Sequence, residues 1–344
     1  MLRAMRIRLQ DVASRARVSE ATVSRVLNGK PGVSPATRTR VLGVLAELGY
    51  EPAELHGATR VGLVGLIVPE LDNPVFPAYA QVIEARLLAQ GYVAILCCAG
   101  RVGASEDDYV AILLDRGVKG IIFVSGGHAD IHHDNRLYEG LLARATPLVL
   151  VNGHIDGLGV ASVSCDDDHA SAAAVRHLVE LGHERIGLLV GPVCYTPVLR
   201  KIDGFRRTMG ELGLSLDEHQ IAETMFSVEG GVAGARGLLD AGCTGIVTAS
   251  DMLALGAIRG AREQGFDVPR DVSVIGYDDT DLIQFTDPPL TTMRQPVLAM
   301  GDLATRLLVT QINGTAAKPR EYLVRPELIV RGSTGRARVA ASAR

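Results

Sequence analysis

Glu20, Ala21 and Arg25 stand on one side of a short helical stretch, EATVSRVLNG, while Val23, Val26 and Leu27 point to the other. Exposed side chains of these types read base edges in the DNA major groove. Arginine donates two parallel hydrogen bonds to guanine O6 and N7, glutamate accepts from the cytosine amino group, and an alanine methyl lies against that of thymine. A second set of chemically useful residues stands at strand ends. Asp278 directly follows the apolar run VSVIGY, which puts its carboxylate at a strand's carboxyl end, where open α/β sheets hold ligands. Asp251 opens the helical stretch DMLALGAIRGAREQ, where it can either reach a ligand or cap the helix. Phe76 and Phe226 offer either a stacking face for a ligand ring or two plain core side chains.

Two clusters raise the question of catalysis. Asp166, Asp167 and Asp168 are consecutive, and His128, His132 and His133 crowd a loop with Asp130 and Asp134. Metal-assisted hydrolysis needs such ligands at fixed spacing on rigid elements. The histidines instead sit in the polar stretch GGHADIHHDNR, expected as a solvated surface loop, and an Asp of the triplet suits the start of the helix that follows. Neither a phosphate-cradling glycine loop nor a GxSxG or HExxH motif occurs. The expectation is no enzyme, no catalytic residue, no metal and no cofactor. The five cysteines, Cys97, Cys98, Cys165, Cys194 and Cys243, are odd in number and lack zinc-site spacing. They are expected as buried thiols.

The elements that carry these residues fall into two patterns. Residues 1–50 form three helices. Leu9, Val12, Ala13 and Ala16 share the buried face of the first, Ser19 caps the second, Asn28-Gly29 stops it, and Ser34-Pro35 opens a third that ends at Gly49. These fifty residues carry a net charge of +6, against −10 for the remainder, the asymmetry of a chain that docks one end on a polyanion. From residue 62 short apolar strands alternate with amphipathic helices, the pattern of parallel sheets covered on both faces. About ten such strands exceed one comfortable sheet. The predicted architecture is an all-α helix-turn-helix domain, 1–50, a hinge, 51–61, and an α/β core of two doubly wound lobes, 62–335. Lobe 1 would hold 62–162 and 293–325, and lobe 2 163–292 and 326–335, leaving 336–344 as a disordered tail. No apolar run approaches the roughly 20 residues of a membrane span. The charged N-terminus has no secretory signal, so the chain is expected in the cytoplasm.

The segment LQDVASRARVSEATVSRVLNGKPGVSPATRTRVLGVLAELGYEP closely resembles the headpiece of the lactose-repressor/galactose-repressor (LacI/GalR) family. Further matches run through VPELDNPVF, HLVELGHERIGLL, TASDMLALGAIRGAREQG, VPRDVSVIGYDD and PPLTTMRQP, so the resemblance covers roughly residues 8–335. It implies a homodimeric, allosteric transcription regulator, a repressor, that binds pseudo-palindromic operator DNA and holds a small-molecule effector between two lobes similar to those of periplasmic sugar-binding proteins. In the headpiece, Thr22, Ser24, Asn28 and Thr37 match phosphate-binding positions, and Leu9, Ser19 and Tyr50 complete the implied contact set. Arg8 replaces the usual threonine cap, trading it for a phosphate contact. The hinge is about three residues shorter than the family's, Gly57 interrupts it, Thr59 stands where the family has the leucine that wedges the minor groove, and Leu55 or His56 substitutes for it poorly or not at all. Weaker DNA bending is expected.

In the core, the resemblance puts Asn73, Val75 and Phe76 at the first-lobe side of the cleft. Lys201 stands where the family has an effector-binding arginine, with Arg200 beside it, and Phe226 matches a pocket-wall aromatic. Asp251, Asp278 and Gln295 close the set. Acidic groups with aromatic faces suit a sugar, and the short hinge with GLVGLIVPEL, MFSVEGG and TDPPLTTMRQP resembles family members that govern maltose or other α-glucoside use in actinobacteria. A purine or nucleoside is the alternative effector. A solute-binding protein would share the lobes but would need an export signal and no helix-turn-helix. No heptad tail follows the core, which favours a dimer over a tetramer.

Overall fold

The computed structural model describes residues 9–27, 32–47, 62–100 and 103–338. Arg8, Asn28, Tyr50, Leu55 and His56, and with them the expectation for the hinge, lie outside the described residues. The chain divides into two compact units, residues 1–61 and 62–344.

The first unit holds helices α1 (Leu9–Ala16), α2 (Glu20–Leu27) and α3 (Pro35–Glu47). Val12, Ala13 and Ala16 of α1, Val23 and Val26 of α2, and Val41 and Leu45 of α3 bury together, each valine or leucine contributing roughly 1.5–3 kcal/mol. Serines fix two of the helix starts: Thr22 N–H donates to Ser19 Oγ at 3.2 Å and Thr37 N–H to Ser34 Oγ at 3.3 Å. Arg17, at φ 51°, makes the tight turn between α1 and α2. Leu9 departs from expectation. It is 44% exposed, because it opens α1 and stands outside the cluster that buries Val12, Ala13 and Ala16.

The second unit begins with β1 (Gly62–Val68), α4 (Val75–Ala89), β2 (Tyr92–Cys98), α5 (Glu106–Asp115), β3 (Ile121–Val124), α6 (Arg136–Ala143), β4 (Leu148–Val151) and β5 (Ser162–Cys165). It continues with α7 (Asp167–Glu180), β6 (Ile186–Val190), α8 (Thr196–Glu211), β7 (Ile221–Glu223), α9 (Val228–Asp240), β8 (Gly245–Thr248), α10 (Asp251–Glu263) and β9 (Ser273–Asp278). The last elements are β10 (Thr291–Arg294), α11 (Val297–Ile312), β11 (Glu321–Val324) and β12 (Glu327–Ile329). Two six-stranded sheets result, ordered β11-β5-β4-β3-β1-β2 and β12-β10-β9-β8-β6-β7. All pairings are parallel except β10 with β12.

The continuous apolar strands work on both faces. Ile122 and Val124 of β3 pack with α4 and α11 residues such as Ile83 and Leu308, whereas Ile121 and Phe123 pack with Leu113 of α5 and Tyr138 of α6. Period-two alternation inside an all-apolar run thus feeds two cores. The chain changes lobe after Cys165, after Arg294 and after Val324, so β5 belongs wholly to the first sheet and β10 to the second. Within the segment expected as a disordered tail, Ala337 N–H donates to Leu181 O at 2.9 Å and Arg338 pairs with Asp271 at 2.5 Å. Residues 339–344 lie outside the described residues. No described helix is long and apolar enough to cross a membrane.

Candidate functional sites: a helix-turn-helix surface and an interlobe cleft

On α2, Glu20, Ala21 and Arg25 are exposed while Val23 and Val26 are buried. At 100° per residue the three exposed positions span an arc of about 140°, wide enough for one groove-facing surface. Ser19 and Thr22 link their hydroxyls at 2.9 Å, as do Ser34 and Thr37. Both threonines therefore tighten helix starts, where backbone N–H groups favour a phosphate. Ser24 is half-buried.

In the second unit the polar groups converge at the carboxyl ends of the strands. Non-glycine residues take positive φ at these ends: Ser125 after β3 (49°), Asn152 after β4 (60°), and Asp278 and Asp279 at the end of β9 (124° and 61°). Backbone strain of about 1–3 kcal/mol per residue is thus stored where the sheets face the cleft. Asp278 is buried and accepts a hydrogen bond from Gln295 Nε2 at 2.6 Å, while Gln295 Oε1 accepts one from the Tyr79 hydroxyl at 2.8 Å. This chain of bonds ties α4 of the first lobe to β9 of the second. Burial, then the neighbouring Asp251, pushes the Asp278 carboxyl well above its usual range.

Asp251 does not cap its helix. Ser250 does, accepting from Leu253 N–H at 3.2 Å. The Asp251 carboxylate instead accepts from Thr280 N–H at 2.8 Å and from the hydroxyls of Thr292 at 2.7 Å and Thr280 at 3.1 Å. Burial still raises it to about 6. Lys201 is 5% exposed and ion-pairs with buried Asp167; its Nζ also sits 3.8 Å from the Tyr277 ring centroid, and the Tyr277 hydroxyl donates to the same Asp167 oxygen at 2.6 Å. Arg200 turns away from Lys201 and grips Glu321 with two bonds of 2.7 and 2.9 Å. The Phe226 ring packs against the backbone after β6: a Cβ on Gly191 would come 2.0 Å from Phe226 Cε2. Val75 is buried in the core, Phe76 is half-buried against it, and Asn73 Oδ1 accepts from Val75 N–H at 3.3 Å to start α4.

Several participants carried little signal in the sequence. Asn152, directly after an apolar strand, had the same signature as Asp278. Tyr79, Tyr277, Thr280 and Thr292 had none, because their roles depend on partners 29 to 216 residues away.

The clusters that suggested catalysis come apart. Asp166 caps α7 by accepting from His169 N–H at 3.1 Å, Asp167 holds Lys201, and Asp168 pairs with Arg207 at 2.6 Å. His128, expected in solvent, is 3% exposed, and its burial lowers it to about 4. It is buried because Nε2 donates to Val151 O at 3.0 Å and its backbone N–H to the Tyr138 hydroxyl at 2.8 Å. Among the described residues no group of three or more His, Cys, Asp or Glu is placed to hold a metal. All five cysteines are free; Cys97, Cys165 and Cys243 are buried, but Cys98 and Cys194 only half so.

Comparison with known proteins agrees with this arrangement. Residues 8–53 match the family described as bacterial regulatory proteins, lacI family, and residues 175–334 match a periplasmic binding protein-like domain. The HTH-type transcriptional regulator MalR of Streptomyces coelicolor is 53% identical over 97% of this chain and 98% of its own. Among solved structures, the transcriptional regulator CelR in complex with cellobiose aligns with a TM-score of 0.72 at 32% identity, over 95% of this chain and all of that one. The lac repressor dimer bound to operator and the anti-inducer ONPF aligns with a TM-score of 0.81 at 28% identity, over 96% and 99%. With a helix-turn-helix at its N-terminal end and two doubly wound lobes in its second unit, the chain belongs to the lacI family of bacterial regulatory proteins and is a helix-turn-helix transcriptional regulator.

Proposed function

We propose that this regulator is a cytoplasmic, homodimeric repressor without enzymatic activity. It binds a pseudo-palindromic operator through Glu20, Ala21 and Arg25, and its effector is a neutral sugar, maltose or another α-glucoside, held in the interlobe cleft. One observation carries the choice of effector. The cations beside the cleft are already paired, Lys201 with Asp167 and Arg200 with Glu321, whereas Asp251 and Asp278 have only uncharged hydrogen-bond partners. Carboxyls held by uncharged partners suit the hydroxyls of a neutral sugar, which can both donate to them and accept from them. Asn152 and Gln295 add amide donors and acceptors, and the Phe226 ring offers an apolar face for a sugar ring. The cellobiose bound by CelR and the likeness to MalR support the same class. For the dimer, Val93 and Leu96 stand exposed on the edge strand β2, and Leu282 and Phe285 are 75% and 78% exposed, apolar side chains that a partner copy would cover.

Fluorescence anisotropy of an operator-library DNA pool tests the reading, at two salt concentrations and with maltose, maltose 6-phosphate, other sugars and purines added in turn. Tight, selective, salt-sensitive binding shifted by a neutral α-glucoside is the expected result. A shift by the phosphorylated sugar or by a purine alone would overturn the effector assignment, and unselective DNA binding would overturn the operator reading.

A further inference from the structure

The geometry points to a two-point latch on the start of α8 that holds the interlobe cleft shut, with the loop 126–135 as its strap. At the first point, Ile131 N–H of the first lobe donates to Cys194 O of the second at 2.9 Å, and Asp130 pairs with Tyr195 as an isolated antiparallel bridge. Tyr195 is the N-cap residue of α8. At the second point, five residues on, Arg200 of α8 crosses to Glu321 on β11, the edge strand of the first sheet, with both guanidinium bonds made and the pair largely shielded from solvent.

The strap is rigid where it leaves the first lobe. Glu106, at the start of α5, accepts from Gly127 N–H at 3.0 Å and from the Tyr138 hydroxyl at 2.7 Å, and that hydroxyl accepts from His128 N–H. The packing leaves no room for a Cβ at Gly126, 1.8 Å from Glu106 Oε1, or at Gly127, 2.4 Å from His133 Nε2. His128 itself is pinned to β4 through Val151 O. Only the tip, Asp130–Ile131, therefore reaches the other lobe, and the strap moves with the first lobe as one piece. Because one latch point lies at the N-cap of α8 and the other five residues on within it, loosening either loads the other.

A backbone hydrogen bond or a largely shielded bidentate ion pair each shifts a two-state equilibrium by roughly fivefold to tenfold, strong enough to hold the lobes and weak enough to release. Effector affinity is reduced by the fraction of molecules that are not closed, so the latch sets how much effector the regulator needs. This last consequence rests on the cleft being the effector site; the latch itself does not.

The test uses the full chain. Hydrogen exchange followed by mass spectrometry reports the Ile131 amide in a peptide covering 129–134, without effector, in the wild type and in Arg200→Met and Glu321→Gln variants. Isothermal titration with maltose compares the wild type with Ile131→Pro, which removes the donor, and Ile131→Ala, which keeps it and trims a side chain that is 54% exposed. The expected result is slow exchange in the wild type, exchange about tenfold faster in both latch variants, and maltose binding measurably weaker in Ile131→Pro but not in Ile131→Ala. Exchange that is unchanged when Arg200 or Glu321 is altered, or already fast in the wild type, overturns the latch. A wild type that binds no maltose refutes the effector assignment, and the exchange experiment then decides the latch alone.

Discussion

Lys201 and Asp167 meet in a site where their side chains are 7% and 4% exposed, with the Tyr277 ring against the ammonium and its hydroxyl on the carboxylate. At an ion-pair separation of about 3 Å and an effective dielectric near 20, the gross attraction is about 5 kcal/mol, most of it offset by the desolvation of both charges. The pair is therefore worth little net, yet each half is expensive to leave alone. Lys201→Met strands a buried carboxylate with one phenol, and Asp167→Asn strands a buried ammonium; each is expected to destabilise the chain by about 3–5 kcal/mol. The double variant leaves a neutral amide accepting from the Tyr277 hydroxyl, and should lie within about 1–2 kcal/mol of the wild type. Urea unfolding followed by circular dichroism, run as a double-mutant cycle, should show a coupling of at least about 3 kcal/mol. Single variants that each cost under about 1 kcal/mol and simply add would refute the argument that this pair is dry and mutually dependent.

Arg25→Ala should weaken operator binding by about 1–3 kcal/mol and relax preference at one base pair of each half-site, read by anisotropy against a library randomised at single positions; a uniform loss across sequences would make Arg25 a phosphate contact instead. Gly191→Ala forces the Phe226 ring off its seat, so calorimetry should register a loss of effector affinity while circular dichroism stays native, and unchanged affinity would remove Phe226 from the pocket. Asp251 and His128 bias stability in opposite directions with pH. Asp251, raised to about 6 by burial, is protonated in the folded state while the unfolded chain ionises, so its contribution falls as pH rises from about 4 to 6, by about 3 kcal/mol. His128, lowered to about 4 by burial, loses a similar amount as pH falls from about 6.5 to 4. Asp251→Asn, which removes the first contribution, should make denaturant midpoints fall more steeply on acidification than in the wild type; parallel pH profiles would sink this assignment.

The readings that held were those that depend on periodicity or on one residue's neighbours in the chain. The all-apolar runs predicted two-faced parallel strands, and Ile121 to Val124 serve two cores as such runs must. Ser19 and Ser34 were legible as caps because a cap bonds three residues onward. Asp251 stayed open between cap and ligand contact for the same reason. Its position before a helix is that of a cap, but Ser250 took the role, and only folding brought Thr280 and Thr292 to its carboxylate. His128 misled because a polar loop sequence gives no hint that Tyr138 and Val151 will enclose one of its histidines.

The sequence by itself determined the helix-turn-helix, the alternation of strands and helices, and the family, since all three are written in local spacing and side-chain type. Tertiary structure alone decided which charges are paired with one another and which meet only uncharged groups. Arg200 and Lys201 are adjacent and alike in sequence, yet one reaches across to the other lobe and the other is buried within its own. A helix turns about 100° between consecutive residues, so neighbours in the chain face different surroundings, and what each meets there depends on the packing of segments far apart in sequence.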